Sequence, residues 1–171
     1  AGTTLHFTGE LLADAGATVT FGTPGDTGTI LFDPTFAAAN GFDTRIRVAG
    51  GTLRAATDDL GFLTFLASSV NVAAGATLDF ADRLAVVRNL SGAGSVVIGS
   101  DPASILGVLV DSGAPRTFAG TISGPGAVTF STFLGADGRV VLTGSNTYTG
   151  GTAICFCTTL QLGNGGTTGS I

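Results

Sequence analysis

The sequence predicts an all-β protein wound as a parallel β-helix, and three observations carry that reading. Glycine is abundant, at 28 of 171 residues, threonine is frequent, and Trp and Met are absent. Helix-forming material is missing: Glu10 is the only glutamate and there is no lysine, so charged faces for long helices cannot be assembled. A glycine turn followed by Thr and an alternating apolar strand recurs along the chain, the pattern of short stacked strands rather than of helices.

The first theme appears at Ala15-Gly16-Ala17-Thr18-Val19-Thr20-Phe21, Ala49-Gly50-Gly51-Thr52-Leu53-Arg54-Ala55 and Ala74-Gly75-Ala76-Thr77-Leu78-Asp79-Phe80. Apolar residues two apart lie on one side of a strand, which sends Val19 with Phe21, Leu53 with Ala55 and Leu78 with Phe80 into a core. Thr18, Thr20, Thr52, Arg54, Thr77 and Asp79 then face water. A second theme, Leu90-Ser91-Gly92-Ala93-Gly94-Ser95-Val96-Val97, is echoed by Ile122-Ser123-Gly124-Pro125-Gly126-Ala127-Val128-Thr129-Phe130. Its glycines tolerate positive φ and suit sharp corners between sheets. The spacing predicts rungs of roughly 20 to 25 residues. Asp58-Asp59-Leu60-Gly61-Phe62-Leu63-Thr64-Phe65-Leu66 is expected to be one such rung with a polar corner, so residues 1–171 read as a single β-helix segment.

A lone rung leaves half its ladder bonds unmade. Stacked rungs bury each inward Leu, Val or Phe for roughly 1.5 to 3 kcal/mol, against a backbone ordering cost of about 1 to 2 kcal/mol per residue. The rival architecture is an antiparallel sandwich or barrel. Its clearest hairpin signal, Asn40-Gly41, sits between segments of poor alternation.

Charge narrows the functional classes. Seven arginines stand against twelve carboxylates for a net charge of −5, and Arg45, Arg47, Arg83 and Arg116 are scattered. Nucleic acid is not an expected partner, because phosphate binding calls for clustered cations. Neither a basic amphipathic segment nor an apolar run of about 20 residues is present, so this segment is not expected to enter a membrane. The start at Ala1 lacks a charged-then-apolar signal, which reads as a mature, trimmed or excised chain.

Candidate chemistry is thin. His6, the only histidine, falls near an end, and no Gly-x-Ser-x-Gly elbow accompanies it. Lysine-dependent mechanisms have no lysine. Asp14, Asp26, Asp33, Asp43, Asp58, Asp59, Asp82, Asp101, Asp111 and Asp137 are read mainly as turn residues capping their own backbone. Asp79 is the exception, outward on a strand with Arg54 expected one rung away as a surface ion pair. The glycine-rich stretches Gly163–Gly169 and Gly50–Thr52 lack the Asp of calcium-binding repeats, and Val97 stands where a dinucleotide fingerprint needs its third glycine. The Thr-x-Thr triplets at 18–20, 27–29 and 147–149 are too irregular for an ice-binding plane and are read as outward strand positions. No catalytic residue, cofactor or metal is expected.

The C-terminal third is the most specific part: Val141-Leu142-Thr143-Gly144-Ser145-Asn146-Thr147-Tyr148-Thr149-Gly150-Gly151-Thr152, then Thr159-Leu160-Gln161-Leu162-Gly163-Asn164-Gly165-Gly166. This run resembles the passenger-associated repeat of autotransporter passenger domains, the surface-displayed parts of proteins exported by Gram-negative bacteria, with the recognisable repeat at about 126–171. The resemblance implies a right-handed β-helix, export through the periplasm to the cell surface or medium, and a non-enzymatic stalk mediating adhesion or host contact through a protein or glycan ligand. A self-assembling filament subunit associating end to end is the second expectation, and a polysaccharide-processing β-helix enzyme the third.

Ile154-Cys155-Phe156-Cys157-Thr158 departs from that family pattern, which places a short polar turn ending in Ala-Gly there. The local register is left open between a bulge, a continuous strand and a distorted corner. On a continuous strand Cys155 and Cys157 share a face, with Cβ atoms farther apart than the roughly 3.8 Å of a disulfide. The expectation is two buried free thiols, with a strained or intermolecular disulfide as the alternative, and two ligands are too few for zinc.

Overall fold

Alternation and glycine punctuation produce seventeen short strands in three parallel sheets, in a computed structural model that describes residues 2–9, 11, 13–33, 43–56, 67–81, 84–133, 137–155 and 157–171. Face A comprises β1 (Thr4–Phe7), β3 (Thr29–Phe32), β5 (Thr52–Ala55), β7 (Thr77–Asp79), β10 (Ser95–Val97) and β13 (Thr121–Ser123), hydrogen-bonded in that order. Face B comprises β8 (Ala85–Arg88), β11 (Ile105–Val110), β14 (Ala127–Thr132) and β16 (Thr152–Ile154). Face C runs through β2 (Thr18–Phe21), β4 (Thr44–Val48), β6 (Ala67–Val72), β9 (Ser91–Gly92), β12 (Arg116–Phe118), β15 (Gly138–Leu142) and β17 (Thr158–Leu162). From β7 to β15 the chain visits faces A, B and C in sequence and lands one strand further along at each turn, while β1 to β7 alternate between faces A and C.

Every pairing among the described strands is parallel. The protein is thus a β-solenoid, and no helix occurs among the described residues. The antiparallel alternative is excluded there: β3 and β4, which flank Asn40-Gly41, pair with β1, β5, β2 and β6 and never with each other. Asn40-Gly41 itself and the Asp58–Leu66 segment lie outside the described residues. Turn length is less even than the spacing predicted, from 18 residues between the paired Thr77 and Ser95 to 27 between the paired Thr18 and Arg45.

In-register stacking turns the inward residues of each strand into columns. On face A, Leu53, Leu78, Val96 and Ile122 form one continuous column, each fully buried. Face C contributes Phe21, Val48 and Val72, and face B contributes Val87, Val108 and Phe130. Phe32 stacks on Phe7 at 5.6 Å and meets Phe21 edge-on at 5.5 Å, which anchors the first rungs in an aromatic cluster. The expected inward set is buried, except that Val19 is only partly so, and Arg54, Thr18 and Thr20 are exposed.

The second sequence theme makes corners, but not the same corner twice. Gly92 (φ +108°) turns the chain from face C to face A, whereas Gly124 (φ +121°) turns it from face A to face B. Positive φ is what an L side chain resists, so glycine recurs at both.

Candidate functional site

The outward side of face A carries the most regular polar feature of the molecule. Thr4, Thr29, Thr52, Thr77, Ser95 and Thr121 occupy one register position on six consecutive strands. Hydrogen bonds of 2.9 Å from Thr147 N–H to Ile122 O and from Thr149 N–H to Gly124 O extend the ladder, which sets Ser145 beside Thr121. Ser145 in turn bridges in parallel to Ser170. The result is an unbroken row of eight hydroxyl residues, one per rung, at the strand spacing of about 4.8 Å. All eight are exposed or half-exposed, and none of their hydroxyls hydrogen-bonds within the described residues.

A glycine column lies directly behind this row. Gly28, Gly51, Gly94, Gly120, Gly144 and Gly169 each precede a ladder residue, with Thr3 before Thr4 and Ala76 before Thr77 the exceptions. A Cβ at Gly120 would sit 1.8 Å from the carbonyl oxygen of Gly94, and one at Gly144 would sit 1.9 Å from that of Gly120. At these glycines the corner between faces C and A is therefore packed backbone on backbone, with no room for a side chain. Gly-Thr/Ser is the molecule's rung signature. Of the three segments singled out by sequence, the one containing Thr52 carries it, Thr77 joins the same row on face A behind Ala76, and Thr18 lies on face C. The Thr-x-Thr triplets do not stack on one another, since residues 18–20 are on face C, and on face A it is Ser145 rather than Thr147 that falls in register with Thr29. The single hydroxyls do stack, a regularity that the reading of the triplets as outward strand positions did not include.

Beside the hydroxyl row runs a mixed outward row. His6 is exposed and its Nε2 lies 3.3 Å from Asp33 Oδ2. Arg54 and Asp79 are register partners, with Nε 3.6 Å from Oδ2, the cross-rung pair expected from sequence. Asp79 also accepts the Ala81 N–H at 2.8 Å, where Ala81 takes φ +52°. Asp26 and Asp101 behave as turn residues, accepting the N–H groups of Thr23 and Ala103. Asp58, Asp59, Asp82 and Arg83 lie outside the described residues.

The corner between faces B and C holds a denser polar cluster. Asn89, buried and at φ +49°, donates from Nδ2 to Ser68 O at 2.7 Å and to Asp111 Oδ2 at 2.6 Å, and its Oδ1 accepts the Asp111 N–H at 3.0 Å. One amide thereby ties three rungs together. Arg88 donates from Nε to Asp111 Oδ1 at 2.9 Å and lies over the Phe133 ring, 3.9 Å from its centroid. Burial pushes the Asp111 carboxyl up, but the hydrogen bonds from Arg88 and Asn89 and the charges of Arg88 and Arg116 outweigh it and hold it below the ordinary carboxylate range. Arg116 stands in register with Val140, an inward position, and its buried Nε has no hydrogen-bond partner. The sequence reading treated Asp111 as a turn aspartate and missed this cluster.

The motif 141–152 is explained by packing. Asn146 ends the apolar face A column: its Oδ1 accepts the Ile122 N–H at 2.9 Å and its Nδ2 donates to Ser170 O at 2.7 Å. Tyr148 is buried with its hydroxyl 2.8 Å from Thr152 Oγ1. Burial raises the phenol above its ordinary range, partly offset by that hydrogen bond.

Cys155 and Cys157 form no disulfide, and the expected burial is corrected: Cys155 is exposed and Cys157 half-exposed. The segment is a corner rather than a continuous strand. β16 ends at Ile154, Cys157 adopts φ +61°, and Thr158, the first residue of β17, bonds from its N–H back to Cys155 O at 3.3 Å. Cys157 fills a left-handed position that glycine normally takes.

Among the described residues no three of His, Cys, Asp and Glu converge as metal ligands would. An open hollow of about 560 Å³ lies beside the early face A rungs, lined by Leu5, Asp26, Ile30 and several glycines. Comparison with protein-family models, curated proteins and solved structures finds no match.

Proposed function

We propose that this chain is a non-enzymatic β-helical stalk of an autotransporter-like adhesin, displayed on or released from a Gram-negative cell surface, and that face A contacts a neutral glycan. The single observation that carries the contact is the row of eight unengaged hydroxyls held at strand spacing on a rigid sheet. Each hydroxyl can donate and accept, as sugar hydroxyls do. A β-linked polysaccharide repeats at nearly the same spacing, so successive sugars can meet successive rungs. Affinity then accumulates along the row without any one strong contact. The location rests on the likeness of residues 141–166 to the passenger repeat.

The test is adhesion of the purified protein to immobilised neutral β-glucans. The triple substitution Thr52→Val, Thr77→Val and Thr121→Val keeps β-branching and removes three hydroxyls from the middle of the row. Binding should fall at least tenfold, while Thr20→Val on face C leaves it unchanged. Equal behaviour of the two variants would defeat the reading. Export is tested separately, by protease accessibility of the chain on intact cells.

A second reading, end-to-end self-association, is favoured by the open edges of β1 and β2 and of β16 and β17, each paired on one side only among the described strands. Light scattering across a concentration series tests it, and a strict monomer at high concentration removes it.

A further inference from the structure

We propose that Cys155 and Cys157 form a thiol–disulfide exchange site, whose substrate is a low-molecular-weight or protein disulfide and whose product is an intramolecular disulfide closing the last described corner between faces B and C. The geometric objection to such a bond is that an extended strand holds alternate Cβ atoms apart. That objection does not apply here, because the two cysteines do not share one strand: β16 ends at Ile154, before Cys155. Thr158 N–H bonds to Cys155 O, and Cys157 leaves the strand region for φ +61°. The ends of this corner are pinned from outside as well. Cys155 N–H donates to Phe130 O at 2.8 Å, and Cys157 O accepts the Gly138 N–H at 3.0 Å. The two backbones are thus fixed relative to each other by the rung beneath, while both thiols remain reachable from solvent.

Accessibility assigns the order. The exposed Cys155 thiolate attacks the substrate disulfide, a mixed disulfide forms, and one substrate thiolate leaves. The half-exposed Cys157 thiolate then attacks the Cys155 sulfur and expels the second substrate thiolate. Two protein thiols lose two electrons in all, and the substrate disulfide gains them. The two protons released by the cysteines are taken up by the departing thiolates. The second step is intramolecular within one turn, so its rate does not depend on protein concentration.

The experiment treats the whole chain with glutathione disulfide and follows intact mass and free-thiol labelling over a range of protein concentrations. The expected product has lost two hydrogens, carries no glutathione, takes no thiol label and remains monomeric. Cys157→Ser and Cys157→Gly should both stop at a stable glutathione adduct on Cys155. The glycine variant suits the left-handed backbone, so its folded yield guards against a trivial folding failure. A persistent adduct on the native chain, disulfide-linked dimers as the main product, or two thiols still open to labelling would each overturn the proposal.

Discussion

The corner between faces C and A and the corner between faces B and C solve the same problem by opposite means. At the first, glycine brings carbonyl against Cα on six of the eight rungs, and the turn is made of backbone. At the second, side chains do the work: Asn89 bonds across three rungs, Asp111 collects Arg88 and Asn89, and Cys157 stands in a position suited to glycine. A backbone corner has one solution and repeats it. A side-chain corner has many, and this one is where the titratable groups gather.

The largest effect should come from adding volume to the backbone corner. Gly120→Val must push apart two rungs whose carbonyl would lie 1.8 Å from the new Cβ, and a loss of about 4 kcal/mol or more is expected in denaturant unfolding. Gly151→Ala, with open space around its Cβ position, should stay within about 0.5 kcal/mol. Equal midpoints for the two would mean that the glycine column is incidental. Next in size is the core column itself: Leu78→Ala should cost about 2 to 5 kcal/mol through the cavity it leaves. Thr77→Ser, one residue away and outward, should barely register.

At the side-chain corner, Asn89→Gly keeps the positive φ and removes the amide, stranding the Asp111 N–H and the Ser68 carbonyl. A loss of about 1 to 3 kcal/mol is expected. A neutral result would show that φ alone matters there. The Asp111 carboxylate predicts a pH signature. Its folded pKa lies below its unfolded value of 3.8, so the folded state favours the ionised form. That contribution is complete above the unfolded pKa and is lost as pH falls through the folded one. Stability measured from pH 5 downward should therefore fall less steeply in Asp111→Asn than in the native chain. A small gain belongs to Cys157→Gly, which relieves a left-handed non-glycine backbone and should add up to about 1 kcal/mol in denaturant unfolding.

What the sequence disclosed divides along the same line. Alternation told inside from outside at Leu53, Leu78 and Phe80, because period two is a local property of the strand. It did not tell which face a strand belongs to. Ala15-Gly16-Ala17-Thr18 and Ala74-Gly75-Ala76-Thr77 read alike, yet they lead onto faces C and A. Face membership depends on how many residues have passed since the previous corner, and loops of unequal length conceal that count. Asp111 was hidden for a related reason. Its neighbours Ser112 and Gly113 spell a self-capping turn, whereas its partner Asn89 is 22 residues away, one rung below. The thiols were expected to be buried while the register stayed open between a bulge, a strand and a corner, and the missing turn glycine, visible at residue 157, was the signal that favours the corner.

Height along the solenoid counts rungs, not residues. The stretch from Thr77 to Ser95 and the longer one from Ser95 to Thr121 each raise face A by one strand spacing, about 4.8 Å. The surplus of the longer turn is carried sideways, on the B and C sides. Insertions and deletions there are geometrically silent for the hydroxyl row, so a lineage can vary its flanks, or an engineer can graft a peptide onto them, without shifting one tick on the ruler that face A presents.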